Sequence, residues 1–511
     1  MFPIMEKFRS LYSGYALTIL TLGYLTSELG HFLIGVTSKA TAIELEYGDI
    51  RCQLRENYTD HHFNLTYYTA CTEADTNETL CHSLQLEDGT QFCEYGRNGL
   101  GFEYQILAGP VFILVYTVFG VILGIAADKF NRARLLSLSV FISGAAVVLM
   151  GGAQSYGQLV IFRILQAIGE AGCNPLATGI LSDLFTEEKR GLVMAIFNWG
   201  IYAGIGISFP IGRYITEANF WDLGWRVAYY GSGIFGLVIA LFCATTIFEP
   251  KRTTIGEEVE QEKEAQVEKE KQVSNSEPAE EKKSPWKVML EPRLVMLCIA
   301  ASIRHTGGLC FAYNADLFYR EIFPNIDLGW GLFFVTFVIG SLGVVVGGMV
   351  SDKIVAKMGI KSRVAVLAIS QLIATPFAFG SIYMGPVGAM VTLAISYIFA
   401  EMWFGILFAI LVEIVPLAVR STTVGVFLFV MNNVGGNLPI LVEPLRKATS
   451  YKHSLAVFYA GAYLVSSILF AATTLMMEPK KNKKPKNAYD LSGVENGAFT
   501  NEKITNNVNR F

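Results

Sequence analysis

Twelve hydrophobic runs punctuate this chain, near residues 12–36, 104–126, 135–153, 156–184, 191–215, 226–248, 293–319, 328–350, 362–384, 386–416, 420–444 and 454–477. Each is long enough to cross about 30 Å of hydrocarbon as a helix. Lipid offers no partner to a backbone N–H or C=O, so a run of this kind must pair its own backbone. The expected fold class is therefore an all-α membrane protein with twelve transmembrane helices. Composition agrees, with 52% hydrophobic and 16% charged residues in 511, which excludes a string of soluble domains. The formal charge of −4 comes largely from polar insertions, so no nucleic-acid partner is expected.

An even number of spans puts both termini on one side. Lys129, Arg132, Arg134, Lys189, Arg190, Lys353, Lys357, Lys361, Arg363 and Arg420 fall in the loops that share that side. The positive-inside rule makes it the cytosol. The first run lacks a small-residue cleavage site and reads as the first helix, not a removed signal peptide. Four segments follow: an N-terminal half, 1–249, containing an extracellular loop at 38–103; a charged cytosolic linker, 250–290; a C-terminal half, 291–478; and a disordered cytosolic tail, 479–511. From Lys251 to Lys283 the linker has ten acidic and seven basic residues and no aromatic, which cannot bury a core.

The loop from Ser38 to Glu103 carries Cys52, Cys71, Cys81 and Cys93 and the chain's three glycosylation sequons, at Asn57, Asn64 and Asn77. Four cysteines in an oxidising compartment predict two disulfides, with three pairings open. The remaining cysteines, Cys173, Cys243, Cys298 and Cys310, lie within spans and read as small apolar fillers. His61, His62 and His82 share the loop, but with the cysteines oxidised no zinc-like cluster is left, so no metal and no cofactor are expected.

The two halves repeat one another. Helix 2 runs into Gly124, Asp128, Lys129, Arg132 and Arg134, and helix 8 into Gly348, Asp352 and Lys353. Asp183 precedes Arg190 by seven residues, as Glu413 precedes Arg420, and Glu249-Pro250-Lys251 is echoed by Glu478-Pro479-Lys480. Landmarks matched at offsets of 224 to 230 imply parallel six-helix repeats about an axis along the membrane normal. The Gly124–Arg134 segment resembles the cytoplasmic loop 2–3 signature of the major facilitator superfamily. That resemblance implies its two-half fold, with helices 1, 4, 7 and 10 lining a central cavity. It also implies a cytoplasmic gating latch built from Gly124, Asp128, Lys129, Arg132, Arg134, Asp183, Arg190, Asp352, Glu413 and Arg420. Gly124 is expected to permit close helix approach, and the charges to favour the outward-open state.

Two stretches narrow the resemblance. Arg163-Ile-Leu-Gln166-Ala-Ile-Gly169-Glu170, with Ser182-Asp183-Leu-Phe and Arg190, and Ala400-Glu401-Met continuing to Pro416-Leu-Ala-Val-Arg420, are similar to Spinster-type transporters. That branch implies export of lysolipids, sphingoid phosphates and related amphiphiles, often with proton coupling, and in some members at lysosomes. Where the branch commonly carries an Asp-Arg pair near the end of helix 1, this chain has Gly30 and His31, with Glu28 just before them. Its long cysteine-bearing loop instead resembles the organic-ion transporters of the superfamily.

Ionisable residues inside spans are expensive unless they meet a partner or a wet cavity. On helix 4, Arg163, Gln166, Glu170 and Asn174 recur every three or four residues and form one stripe. Thr21, Tyr24, Glu28 and His31 form a second on helix 1, Arg304 and His305 lie on helix 7, and Glu401 lies on helix 10. A self-satisfied pairing of Arg163 with Glu170 or with backbone carbonyls would merely hold helices together. Facing a cavity, Arg163 and Arg304 suit an anionic head on a hydrophobic body, because a guanidinium stays charged and grips carboxylate or phosphate with two donors. Glu28, Glu170, Glu401 and His31 are the candidate proton carriers.

The expected function is secondary active, alternating-access transport of an amphipathic organic anion such as a lysolipid, by a monomer in the bilayer, with a proton as candidate coupling ion. A polyspecific organic-ion carrier and a non-transporting receptor are the rivals. No HExxH, GxSxG or nucleotide-binding glycine loop points to an enzyme or a primary pump. Neither tail has a convincing sorting signal, which favours the plasma membrane, while the Spinster likeness keeps the lysosome open.

Overall fold

The computed structural model describes residues 2–55, 65–185, 187–250, 285–359, 361–415 and 420–477. Asn57 and Asn64, residues 251–284 of the linker, the tail, and the side chains of Asp128, Arg190 and Arg420 lie outside the described residues.

Among the described residues, eleven helices are long and apolar enough to cross a membrane. They begin with helix 1 (Phe2–Val36), helix 2 (Phe102–Ala108 and Pro110–Lys129) and helix 3 (Arg132–Gly151). Helix 5 (Glu187–Ala218) and helix 6 (Trp225–Thr246) complete those of the first half. In the second half are helix 7 (Pro292–Ile322), helix 8 (Gly329–Phe333 through Met358), helix 9 (Lys361–Tyr383), helix 10 (Pro386–Ala400 and Trp403–Ile414), helix 11 (Arg420–Asn437, continued by Val442–Ala448) and helix 12 (Tyr451–Leu455 through Met476). The expected twelfth, helix 4, carries the polar stripe and is built from two pieces, Tyr156–Glu170 and Cys173–Leu184.

Local chemistry sets several starts. Asn131 and Ser155 accept hydrogen bonds from the amides of Arg134 and Gln158, and Pro386 occupies a first turn, where its missing N–H costs nothing. Pro175 explains the break in helix 4: it has no N–H to give the carbonyl of Ala171, and its ring would crowd that carbonyl. Helix 10 breaks at Glu401–Met402, 230 residues beyond Ala171–Gly172, at the offset that relates Asp183 to Glu413. There the carbonyl of Ala400 is occupied by two side chains, Arg304 at 2.7 Å and Gln371 at 3.1 Å.

Between helices 1 and 2 the chain forms a small cap. Strands Ile50–Leu54 and Cys93–Arg97 pair antiparallel, with Cys52 opposite Tyr95, and short helices at Leu65–Ala74 and Glu78–Ser83 pack on them. The disulfides are Cys52–Cys81 and Cys71–Cys93, which settles the pairing left open by the sequence. Asn77, the one described sequon asparagine, is exposed and caps Glu78–Ser83.

On the capped face the halves meet closely. Gln105 Nε2 donates to Asn314 Oδ1 at 2.8 Å, Thr117 Oγ1 to Asn433 Oδ1 at 3.2 Å, and the Tyr104 hydroxyl to the carbonyl of Tyr313. Helix 5 closes on helix 8 through glycine: a Cβ on Gly206 would come within 2.7 Å of Phe337 Cβ. Arg213 and Tyr214 reach Asp327 at 3.0 and 2.6 Å. On the opposite, basic face the following ion pairs of described residues each lie within one half. Arg132 binds Asp183 at 2.6 Å and Glu249 at 2.7 Å, and Arg363 binds Asp352 at 2.8 Å and Glu413 at 3.0 Å. A Cβ on Gly124 or Gly348 would meet nothing within 4 Å among the described residues. The close approach expected at Gly124 is thus not made by any described residue.

Two outcomes follow from this packing. Each disulfide closes a loop of more than 20 residues, worth about 3 kcal/mol in the chain-entropy account. Replacing Cys52 and Cys81 by serine is expected to cost the cap roughly 2–4 kcal/mol, read as faster amide exchange at 50–54 and 93–97 with the bundle unchanged. Burial pushes the Asp327 carboxyl up, but the Tyr214 hydroxyl, the Gly329 amide and the nearby Arg213 hold it below its usual value. Its contribution is therefore complete above the ordinary carboxylate pKa of about 3.9 and is lost as pH falls through the lower folded value. The melting-temperature gap between the parent and Asp327→Asn should stay constant from pH 7.5 to 5.5 and close below about pH 4.

Candidate functional site

Two clusters of ionisable side chains lie inside the bundle, one in each half. In the first, helix 1 places Glu28 and His31 one turn apart, and helix 4 brings Glu170 to them just before its break. His31 Nδ1 is 3.0 Å from Glu170 Oε1, and His31 Nε2 is 3.4 Å from the hydroxyl of Tyr313 on helix 7. The imidazole lies against Phe112 with ring centroids 3.8 Å apart. Helix 5 packs directly on Glu28, since a Cβ on Gly204 would come within 2.6 Å of the glutamate Cβ. All three ionisable groups are buried.

One turn before Glu170 on the same face is Gln166, and one turn further back Arg163, both fully buried. The guanidinium of Arg163 stacks on Phe112 at 4.4 Å and donates to the carbonyl of His31 at 2.9 Å and to Gln166 Oε1 at 3.0 Å. Glu170 binds the imidazole and Arg163 the backbone carbonyl of His31, so of the two self-satisfied pairings open to Arg163 the structure shows the one with a backbone carbonyl. Three buried polar atoms here have no hydrogen-bond partner among the described residues: Arg163 Nη2, Gln166 Nε2 and Glu170 Oε2. Two are donors, the complement an incoming oxyanion needs. Asn174 falls beyond the break in helix 4 and donates to the Tyr24 hydroxyl at 3.3 Å. The four-residue stripe is therefore three residues and an offset fourth, because its periodicity assumed one unbroken helix.

The second cluster pairs helix 7 with helix 10. Arg304 Nη2 is 2.7 Å from the Ala400 carbonyl and 3.1 Å from Glu401 Oε1, and its guanidinium sits over Trp403 at 4.7 Å and Tyr463 at 4.5 Å. Glu401 Oε2 accepts from Tyr202 at 3.0 Å, a bond from helix 5 across to the other half. His305 points elsewhere and lies beside Trp403, with Gly435 packed on it. On the basic face Lys129 and Arg134 are exposed, and the cations Arg132 and Arg363 organise the carboxylates.

Tyr313, Tyr202 and Phe112 were not singled out in the sequence, since a lone aromatic in an aromatic-rich span gives no signal. Glu249 and Arg363 had one, the repeated Glu-Pro-Lys and the basic loop. Glu28, His31 and Glu170 also offer three ligand atoms within 4.8 Å of one another, a donor set of the kind that holds a metal. Arg163, hydrogen-bonded to the carbonyl of His31 itself, sets a fixed positive charge against a dication there. A proton brings half that charge and suits the same atoms.

The Major Facilitator Superfamily profile matches residues 12–438. The chain belongs to this superfamily. Protein spinster of Drosophila melanogaster is 22% identical over 427 residues, covering 78% of this chain and 67% of that protein. The sphingosine-1-phosphate transporter SPNS2 of Danio rerio is 32% identical over 149 residues, 29% of each chain. The crystal structure of a bacterial homologue of the human lysosomal transporter Spinster, inward-facing and unoccupied, superposes with a TM-score of 0.62 at 18% identity, over 91% of this chain and 96% of that one. The fold is thus that of a two-half carrier. The chain is a multi-pass membrane protein of a transporter family related to Spinster, not of an enzyme family.

Removing one partner of a buried ion pair strands the other and typically costs about 3–5 kcal/mol. Arg304→Ala and Glu401→Ala should each lower thermal stability by that order, and the double variant by clearly less than their sum. Chemical denaturation of all four proteins in one detergent measures the coupling.

Proposed function

We propose that this superfamily carrier moves an amphipathic organic anion, of the lysolipid or sphingoid-phosphate type, by alternating access, with a proton as the coupling ion. The observation that carries the reading is the pair of unengaged donors, Arg163 Nη2 and Gln166 Nε2, buried within the apolar bundle. A phosphate or carboxylate head entering there would take both, while an acyl body would lie along apolar and aromatic wall. The name of the Danio rerio relative, a sphingosine-1-phosphate transporter, supports an anionic amphiphile.

Coupling follows from how the same side chains are tied together. Arg163 holds the carbonyl of His31, and His31 holds Glu170. An anion that draws the guanidinium away loosens the imidazole and frees the carboxylates of Glu170 and Glu28 to exchange a proton. The basic loops assign that face to the cytosol and the capped face to the exterior, so the described state is inward-open. In this reading Arg132 and Arg363, with Asp183, Glu249, Asp352 and Glu413, are the two halves of a cytosolic latch in its parted form. The plasma membrane is the favoured address.

The test is thermal stabilisation of the purified protein by lysolipids, sphingoid phosphates, bile-type steroids and small carboxylates, beside Arg163→Ala, at pH 5.5 and 7.5. One anionic class should stabilise the parent by about 2.7 kcal/mol at a hundred times its Kd and leave the variant unmoved. Equal shifts in both proteins would remove Arg163 from the binding site.

A further inference from the structure

The cap is fastened to both halves, and one carboxylate carries the crossing. Asp49 stands at its base, where the chain enters and leaves. Its amide donates to the carbonyl of Leu100 at 2.8 Å, and its carbonyl accepts from Asn98 at 3.3 Å. Gly101, at φ +118°, packs so closely that a Cβ there would lie 2.8 Å from the Asp49 nitrogen. The side chain is thus presented from a fixed frame. Asp49 Oδ2 is 2.7 Å from Arg446 Nη2, and Oδ1 is 2.8 Å from Lys447 Nζ, both in the segment Val442–Ala448 of the opposite half. Arg446 is itself buried and locked by two bonds to Glu443, at 2.9 and 2.7 Å.

The base of the cap is tied firmly to the first half. Glu44 takes Arg226 at 2.7 Å and the Trp225 indole at 2.6 Å, both on helix 6. The Ser38 hydroxyl donates to the carbonyl of Gly99, closing the neck of the cap. When the halves separate on this face, the cap must travel with the first half, and the contacts that break are those it makes with the second. Among the described residues these include Asp49 with Arg446 and Lys447, and the Tyr68 hydroxyl with the carbonyl of Glu321.

We infer that Asp49 is a gate lock: carried on the disulfide-stapled cap, it grips Arg446 and Lys447 to hold the capped face closed and lets go each time that face opens. The lock acts on the side opposite the basic-face charges, so the two sets favour opposite states of one cycle. The grip is charge-assisted and partly shielded from water, which makes it stronger than a surface pair. Its position also explains why a cap remote from the buried clusters carries two disulfides: a lock on a floppy loop would dissipate any pull into the loop. The inference rests on relative motion of the two halves and on nothing about cargo or coupling.

Gln105→Cys supplies the reporter, because Gln105 is buried beneath the closed face against Asn314 and is uncovered when that face opens. Full-length protein is reconstituted in liposomes without cargo and treated with a membrane-impermeant maleimide. The same protein lacking the reporter corrects for the native thiols, which are buried. Adding Asp49→Asn should raise the labelling rate about fivefold, and Lys447→Gln, at an exposed position that folding tolerates, should raise it less. Gln158→Ala removes the Gln154–Gln158 bond, which lies on the same face within the first half and away from the cap, and should leave the rate unchanged. Parental rates in both Asp49→Asn and Lys447→Gln would overturn the lock, as would an equal rise in Gln158→Ala, which would mean general loosening. Because no cargo is present, a wrong assignment of the transported molecule leaves this readout intact.

Discussion

A charge buried in hydrocarbon must find its partner within the protein, and much of this structure is arranged around that demand. Arg163 and Arg304 cannot shed their protons, so each is met by a backbone carbonyl, a polar side chain and an aromatic face. The carbonyl of Ala400 is supplied where helix 10 is interrupted, and helix 4 breaks directly after Glu170. The two breaks are related by the internal repeat, so the halves solve one problem twice. In the second half the arginine takes its carboxylate directly. In the first an imidazole intervenes. Each cluster leaves buried polar atoms without a hydrogen-bond partner among the described residues, Arg163 Nη2, Gln166 Nε2 and Glu170 Oε2 in the first and Arg304 Nε and Gln371 Oε1 in the second.

Packing decides which face is open. Small residues let the halves touch on the capped side, where Gly206 meets Phe337 and Gly109 meets the carbonyl of Gly436, while no described residue comes within 4 Å of a Cβ on the glycines at the basic end of helices 2 and 8. Rigid helices that touch at one end and part at the other form a lever, so contacts at the faces, more than any in the middle, set the balance between states. Tyr202–Glu401 and His31–Tyr313 are the exceptions, since they join the halves at the buried clusters themselves.

Fold class and repeat were legible in the chain because lipid enforces a simple code, in which a long apolar run must be a helix and cations mark the loops of one face. The main site residues, Glu28, His31, Arg163, Gln166 and Glu170, were legible for the same reason: a polar residue in such a run stands out. Helix 4 shows the limit. Its periodicity treated Asn174 as a continuation of the stripe, whereas Pro175 and the preceding glycine turn the chain and hand Asn174 to Tyr24.

What the sequence by itself determined is where the chain crosses the bilayer and which residues are too polar to face it, because both follow from the local cost of placing groups in hydrocarbon. Only the tertiary structure decided the partners. His31 meets Tyr313 from 282 residues away, Asp49 meets Arg446 from 397, and the cysteines choose one pairing of three. Such contacts depend on how helices of opposite halves lie against each other, and in a carrier that arrangement is a property of the state as well as of the chain.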